Sequence, residues 1–434
     1  MKRISVLVAL ALAQPVLAAD LLQIYQDAKV QDATIASAKA TYDAGQERVP
    51  QGRAGLLPFV NLTGNVTRVE SEPTGLPSQS VTTRGYTLSL TQPLFRAQNW
   101  ATYDQAKQQV LQSAAQFSAA QQDLILRVAQ AYFDVLLAQD NVTVSQSQKT
   151  AISEQLAQAK RNFEVGTATI TDTNEAQARF DQAIAQEIVD QNDLEIKHQA
   201  LQQLINRLPD RLSPLKDQLA LPLPKPNNIK DWVSAAEQNN QTLTTLRAGV
   251  EIAKQEVTKQ KAGHLPTVDL VASYADNRNA ITSGFGVSAD LTTKQIGVQV
   301  TVPLYAGGAT QSRIREALAN QEKSTQDLEV NRRVVSQTTR TAFLGVTSGV
   351  SQVAALEQAL KSAQVSLDST KLGREVGVRT SLDVLNAEQQ LTLAQRNLLQ
   401  ARYNVILNQL RLKAAAGQLT DGDVAEVNSL LAAS

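Results

Sequence analysis

His198 and His264 are the only two histidines in the 434-residue chain, cysteine is absent, and Met1 is the single methionine. That inventory removes thiol nucleophiles, disulfides, thiolate metal sites and an N-terminal lipid-carrying cysteine. Neither imidazole has a partner at ligand spacing, so both read as structural and no metal or cofactor is expected. Gly284-Phe285-Gly286 lies between two strand-like runs, not between a strand and a helix, which is the wrong context for a phosphate loop. No nucleophile elbow and no paired catalytic carboxylates occur, which argues against an enzyme. The charged residues with the most suggestive spacing gather at two glycines. Lys160 and Arg161 precede Gly166, with Thr171 and Asp172 after it; Lys371 and Arg374 precede Gly377, with Thr380, Ser381 and Asp383 after it. Bases at a helix C-terminus and Ser, Thr or Asp at an N-terminus complement the helix dipole and satisfy orphan backbone groups. On residue chemistry alone, Asp172 and Asp383 read as helix caps as readily as they read as a site.

The elements that carry these turns are long. From Ala97 to Phe163 there is neither proline nor glycine, which predicts a helix on the order of 100 Å at 1.5 Å per residue. Ile125, Val128, Tyr132, Val135 and Val142 keep helical spacing. Val384, Leu391, Leu398, Val405 and Leu412 recur every seventh residue, with Ala387, Ala394 and Ala401 three positions on. A heptad seam with small residues beside it is the pattern of closely packed coiled-coil helices.

The pattern comes twice. Leu57-Pro58 recurs as Leu265-Pro266, Pro93-Leu94-Phe95 as Pro303-Leu304-Tyr305, and Glu164-Val165-Gly166 as Glu375-Val376-Gly377, at offsets of 208, 210 and 211 residues. Lys2 and Arg3 ahead of an apolar Ile4–Leu12 stretch, with Val16-Leu17-Ala18 behind it, read as a secretory signal peptide over 1–18, cut after Ala18 or Ala19. The expected organisation is therefore a leader, repeat 1 over 20–208, a proline-rich linker over 209–230, repeat 2 over 231–414 and a C-terminal segment over 415–434. Each repeat reads helix–strand–strand–helix–helix, beginning with a helical segment at Leu21–Arg53.

The strands carry the functional signal. Val60 to Thr67, Tyr86 to Thr91, Val268 to Ala275 and Ile296 to Val302 alternate apolar and polar residues, as strands with one apolar face do. They read as about four strands of roughly 8–11 residues, the length that crosses an outer membrane when tilted. Ile296, Val298, Val300 and Val302 would face lipid and Gly297, Gln299 and Thr301 water, with Phe59, Phe95 and Tyr305 at strand ends and Glu70–Thr83 and Asp276–Thr293 as loops. Four strands cannot close alone, and open edges are not tolerated in lipid, so chains must pool them. Two chains would give about eight strands and a filled barrel, three about twelve and a lumen. The 41 basic and 41 acidic side chains balance, which removes the electrostatic case for nucleic acid. A mean hydropathy of −0.21 argues against a bundle of transmembrane helices.

Together these residues resemble the TolC family of outer-membrane channel-tunnel proteins over nearly the whole mature chain. The carriers are Leu57-Pro58, Gly263 to Leu270, Pro303 to Gly308, the Val165-Gly166 and Val376-Gly377 turns, and Ala401-Arg402-Tyr403-Asn404. The resemblance implies a mainly α fold with a transmembrane β-barrel portion, a trimer whose twelve-stranded barrel continues as a coiled-coil helical tunnel into the periplasm. It also implies an exit duct for drug efflux or type I secretion. Its partners would be a periplasmic membrane-fusion adaptor, an inner-membrane pump of RND, ABC or MFS type, and outer-membrane lipid.

By the same resemblance, the hairpin turns at Gly166 and Gly377 form a closed periplasmic end. Thr171 and Asp172 match positions in the links that hold it shut, Arg379 matches their arginine partner, and Asp383 matches one of two acids ringing the pore constriction. Two departures matter. The second ring acid is Asn386, which predicts weaker cation capture, and the family's gate tyrosine is Arg374, so that link is absent or becomes a salt bridge. A periplasmic coiled-coil adaptor shares long alanine-rich hairpins, but the paired alternating strands and the duplicated plan speak against it. A secreted coiled-coil protein would have no barrel at all.

Overall fold

The computed structural model describes residues 18–72, 74, 78–209, 211–216, 219–281 and 288–432. Of the expected leader only Ala18 falls among them, and Gly284-Phe285-Gly286 lies outside the described residues. Helices α1 (Leu21–Gln31), α2 (Ala33–Gln46) and α3 (Arg48–Ala54) lead to strands β1 (Phe59–Ser71) and β2 (Gln79–Phe95), then to α4 (Ala97–Glu164) and α5 (Ile170–Ile205). The order returns with α6 (Ile229–Asn239), α7 (Gln241–Lys261), a 3-10 turn (Ala262–His264), β3 (Thr267–Ile281), β4 (Ser288–Thr301), α8 (Ala309–Glu375), α9 (Ser381–Ala415) and α10 (Asp421–Asn428). The segment expected as one helix over Leu21–Arg53 is interrupted. Asp32 takes an extended backbone, and its carboxylate accepts from the Thr34 N–H at 3.0 Å and pairs with Arg127 at 2.6 Å. A short acidic side chain that bonds the backbone ahead of it ends one helix and starts the next. Burial opposes the Asp32 charge, but the Arg127 and Thr34 bonds outweigh it and hold the carboxyl below its ordinary range.

The described residues divide into two units. One draws on Lys39–Phe117 and Gln241–Arg332, the other on the described residues up to Ala38, Ser118–Asn240 and the described residues from Arg333 on. The first holds the sheet, antiparallel throughout in the order β1-β2-β3-β4, so β1 and β4 are its edges. Its strands run 13, 17, 15 and 14 residues, longer than the 8–11 expected from alternation. The ladder continues past the apolar band: Arg68 pairs with Thr82, Glu70 with Ser80, and Asp276 with Thr292. There polar residues such as Arg68, Glu70 and Asp276 take over the face that is apolar nearer the helices, and Val69 pairs with Val81 on the opposite face, so the alternation signal is broken while backbone pairing goes on, and much of the two expected loops is strand. Across one row, Leu62, Leu88, Tyr274 and Lys294 stand in register; across the next, Thr63, Thr87, Ala275 and Thr293. The first face leaves Leu62 66%, Ile296 77% and Val298 60% exposed in the single chain, while the other carries Asn, Thr, Ser and Gln. At the base of the sheet Arg96 clamps the buried Asp269 with two bonds of 2.7 Å.

In the other unit the heptad residues Val384, Leu391, Leu398, Val405 and Leu412 are all buried. Leu367 packs on Val384 and Leu391, and Val353 packs on Leu398, Ala401 and Val405, so α8 and α9 form an antiparallel pair. A Cβ on Gly349 would sit 2.8 Å from a Val405 methyl, which shows that the Val405 side chain packs directly on the α8 backbone. On the other hairpin Ile152, Leu156 and Ala159 of α4 meet Ala176 and Ala183 of α5, and Leu385 of α9 joins the same cluster. Tyr403, singled out in the sequence, is buried against Phe133 and donates to Asp140 at 2.6 Å.

Candidate functional site

Both hairpin tips solve the same backbone problem. After α4, Gly166 takes φ +78° and donates to Phe163 O at 3.0 Å, while Thr167 N donates to Asn162 O at 2.8 Å. After α8, Gly377 takes φ +79° and donates to Arg374 O at 3.1 Å, while Val378 N donates to Gly373 O at 2.9 Å. This paired closure satisfies the last helical carbonyls and demands a left-handed residue, which glycine adopts without a Cβ clash.

The following helices begin on matching capping boxes. The Asp172 N–H donates to Thr169 Oγ1 at 3.2 Å, while Asp172 Oδ2 accepts from the Thr169 N–H and hydroxyl at 2.9 Å each. Thr380 and Asp383 repeat the arrangement at 3.1, 2.9 and 2.9 Å. The Thr380 backbone N–H, then its hydroxyl, and to a lesser extent Arg379, hold the Asp383 carboxyl below the ordinary carboxylate range. Each aspartate therefore caps its helix through Oδ2, and its Oδ1 has no hydrogen-bond partner among the described residues. The cap threonine of α5 is Thr169, whereas Thr171 sits exposed inside the first turn.

The remaining site residues are arranged less symmetrically. Arg374 donates to Gln155 Oε1 on α4, so its guanidinium meets a neutral amide and makes no salt bridge among the described residues. The Arg379 stem lies against Gly373, where an added Cβ would sit 2.8 Å from Arg379 Cγ, and its exposed guanidinium has no hydrogen-bond partner among the described residues. Within one chain no bond links Thr171 or Asp172 to Arg374 or Arg379. Asn386, exposed one helical turn beyond Asp383, accepts from Arg179 of α5 at 3.2 Å, and Gln389 accepts from the same guanidinium at 2.9 Å. Farther along, buried Asp190 and Glu187 of α5 pair with Arg396 and Lys149, each at 2.5 Å, which fixes the register of α4, α5 and α9. A shallow cavity of about 230 Å³ lies among these helices, lined by Gln148, Arg179, Gln186, Gln389 and Arg396.

Three participants escape a reading of the sequence. Thr169 could have been found from its repeat partner Thr380 at the 211-residue offset, whereas Gln155 and Arg179 are brought to Arg374 and Asn386 only by the packing of separate helices. Among the described residues no group of three or more His, Cys, Asp and Glu could hold a metal ion.

Comparison with known proteins gives one consistent picture. A family model described as outer membrane efflux protein matches residues 24–207 and 232–418. The chain is 34% identical over 421 residues to the outer membrane protein TolC of Vibrio cholerae, covering 96% of this chain and 95% of that protein. It is 32% identical to the alkaline protease secretion protein AprF of Pseudomonas aeruginosa, covering 96% and 88%. In fold it matches the outer membrane protein VceC of Vibrio cholerae with a TM-score of 0.79 over 92% of this chain and 96% of that one, at 20% identity.

Proposed function

Because the chain belongs to the outer membrane efflux protein family, we propose that three copies pool their sheets into one barrel and that their hairpin tips form its periplasmic gate. The protein is an outer-membrane exit duct that extends into the periplasm. The observation that carries the trimer is the four-stranded sheet itself. It has two unpaired edges and an exposed apolar face, an arrangement that lipid tolerates only in a closed barrel. Three copies give about twelve strands, enough to leave a lumen lined by the Asn, Thr, Ser and Gln face.

The gate is assigned to Thr171, Asp172, Arg374 and Arg379, and the constriction to Asp383 and Asn386. Support comes from the unbonded Arg379 guanidinium and from the oxygen each capping aspartate keeps free; both are available to a neighbouring copy. Arg374 acts as a link to Gln155 within its own chain. Arg179 beside Asn386 places a cation where a second ring acid would otherwise stand, so the ring attracts cations weakly. A duct has no energy source of its own, so the reading requires an inner-membrane pump of RND, ABC or MFS type and a periplasmic membrane-fusion adaptor. Relatives named for protease secretion support protein cargo, and the family description supports efflux.

The test begins with detergent-extracted outer membranes. A heat-modifiable trimer that forms channels in planar bilayers is expected, and a monomer in the soluble periplasmic fraction would overturn the reading. Deletion, with drug sensitivity and protein secretion both assayed, then assigns the cargo.

A further inference from the structure

The lipid-facing side of the sheet does not stay apolar to its tips. At the ends away from the helices, it passes through a pair of tyrosines into a cluster of cations. Tyr86 and Tyr274 lie 6.2 Å apart between ring centroids, and the Lys294 ammonium stands 5.9 Å above the Tyr274 ring. One step farther, Arg84 and Arg278 are direct partners in the β2–β3 register, and Arg68 stands opposite Thr82, the next same-face position toward the tip of β2. All four cations are exposed and none forms a salt bridge among the described residues. Like charges directly opposite on a sheet are destabilising, and Asp276, the neighbouring carboxylate on this face, offsets only one of the two, so the Arg84–Arg278 pair calls for a further anion from outside.

The surface beside that pair is hollow. Gly64 stands opposite Tyr86 with no side chain, which opens a depression of about 360 Å³ lined by Val66, Arg84, Tyr86, Asp276 and Arg278, with backbone of Gly64 and Gly85. Two guanidiniums against one carboxylate leave it net positive. Along β2, Arg84 is four residues from Leu88, the last aliphatic residue of that strand on this face, which is about 13 Å at 3.3 Å per residue. That is the depth of headgroups, and the strand tips face outward because the helices of this unit leave from the other end of the sheet.

We propose that this notch binds a phosphorylated glycolipid headgroup of the outer leaflet, with Arg84 and Arg278 forking onto one phosphate, the Tyr86 ring against the sugar, and Arg68 and Lys294 flanking. Guanidinium forks match phosphate oxygens in geometry as well as charge. The site rests on the barrel reading above. If that reading fails, the wild-type protein gives neither trimer nor conductance; the headgroup site can fail while both persist.

The experiment titrates purified wild-type trimer in detergent with fluorescent lipid A, with its dephosphorylated form, and with inorganic phosphate as competitor. Expected is tight binding of lipid A, about tenfold weaker binding of the dephosphorylated lipid, and competition by phosphate only in large excess. Arg84→Gln with Arg278→Gln should lose about tenfold in lipid A affinity while trimer migration and conductance in phospholipid bilayers hold. The paired lysine variant, Arg84→Lys with Arg278→Lys, should recover part of the loss. Equal affinity of wild type and the double glutamine variant, or of lipid A and its dephosphorylated form, would overturn the proposal. Binding of inorganic phosphate as tight as that of lipid A would also do so.

Discussion

The two hairpin tips have one backbone and two electrostatic characters. At the 211-residue offset the pairs Lys160/Lys371, Glu164/Glu375, Val165/Val376, Gly166/Gly377, Thr169/Thr380 and Asp172/Asp383 are identical, and these include the left-handed glycine of each turn and both residues of each capping box. The positions between them diverge. Phe163 corresponds to Arg374, Ala168 to Arg379, and Glu175 to Asn386. A duplicated chain thus supplies its own control: what both copies keep is accounted for by turn and cap geometry, and what only one copy has is free to act. By that criterion the capping role of Asp172 and Asp383 is structural, and the proposed gate chemistry would concentrate in Arg374, Arg379 and the neighbourhood of Asn386.

The largest test of this asymmetry is at Arg379. Arg379→Glu should raise single-channel conductance in planar bilayers several-fold, because it puts a carboxylate where the proposed gate has a cation facing the caps of neighbouring copies. Ala168→Glu, the equivalent change on the first tip, should leave conductance near wild type. Equal effects from both would erase the distinction, and unchanged conductance for Arg379→Glu would count against the gate assignment itself.

Next in size is the constriction. Asn386→Asp alone should tighten block by a trivalent cation only slightly, since the new carboxylate would sit 3.2 Å from Arg179 and be neutralised there. Combined with Arg179→Gln, the same substitution should tighten block by about tenfold, because charge added per copy is then unpaired. If the single variant already gives the full effect, Arg179 does not reach the ring.

How much of this the sequence discloses depends on how local the cause is. Both glycine turns, the heptad seam and the alternating strands are readable because each follows from residues a few positions apart. The full strand lengths are not, since from Arg68 and Asp276 onward polar residues take over the face that was apolar and break the period that marks a strand. Nor are Gln155 opposite Arg374 and Arg179 opposite Asn386, where the partners lie on different helices and meet only through packing. The cap at Thr169 falls between. Its Thr-x-x-Asp spacing is local, but Thr171 stands closer to Asp172 and draws the eye.

If the shared residues are purely structural, removing either cap must cost the same. Thr169→Ala and Thr380→Ala should each lower stability by about 1 kcal/mol, the usual loss for a threonine cap, read from denaturant unfolding of the trimer. A conductance change in either would show that the cap also takes part in gating.

The smallest effect separates the cap from its neighbouring arginine. The folded Asp383 carboxyl titrates below its ordinary value. Its contribution is therefore complete above the unfolded value of about 3.9 and is lost as pH falls through the depressed folded value. Carbon-13 titration of the Asp383 carboxyl should show that low midpoint. Thr380→Ala removes the hydroxyl but keeps the backbone N–H that contributes most, so the midpoint should rise only part of the way. Arg379→Gln removes only the smallest contribution and should move it least. That ordering matters for the gate: a channel opened by Arg379→Glu at neutral pH opens through lost attraction between copies, because Asp383 is ionised there in every variant.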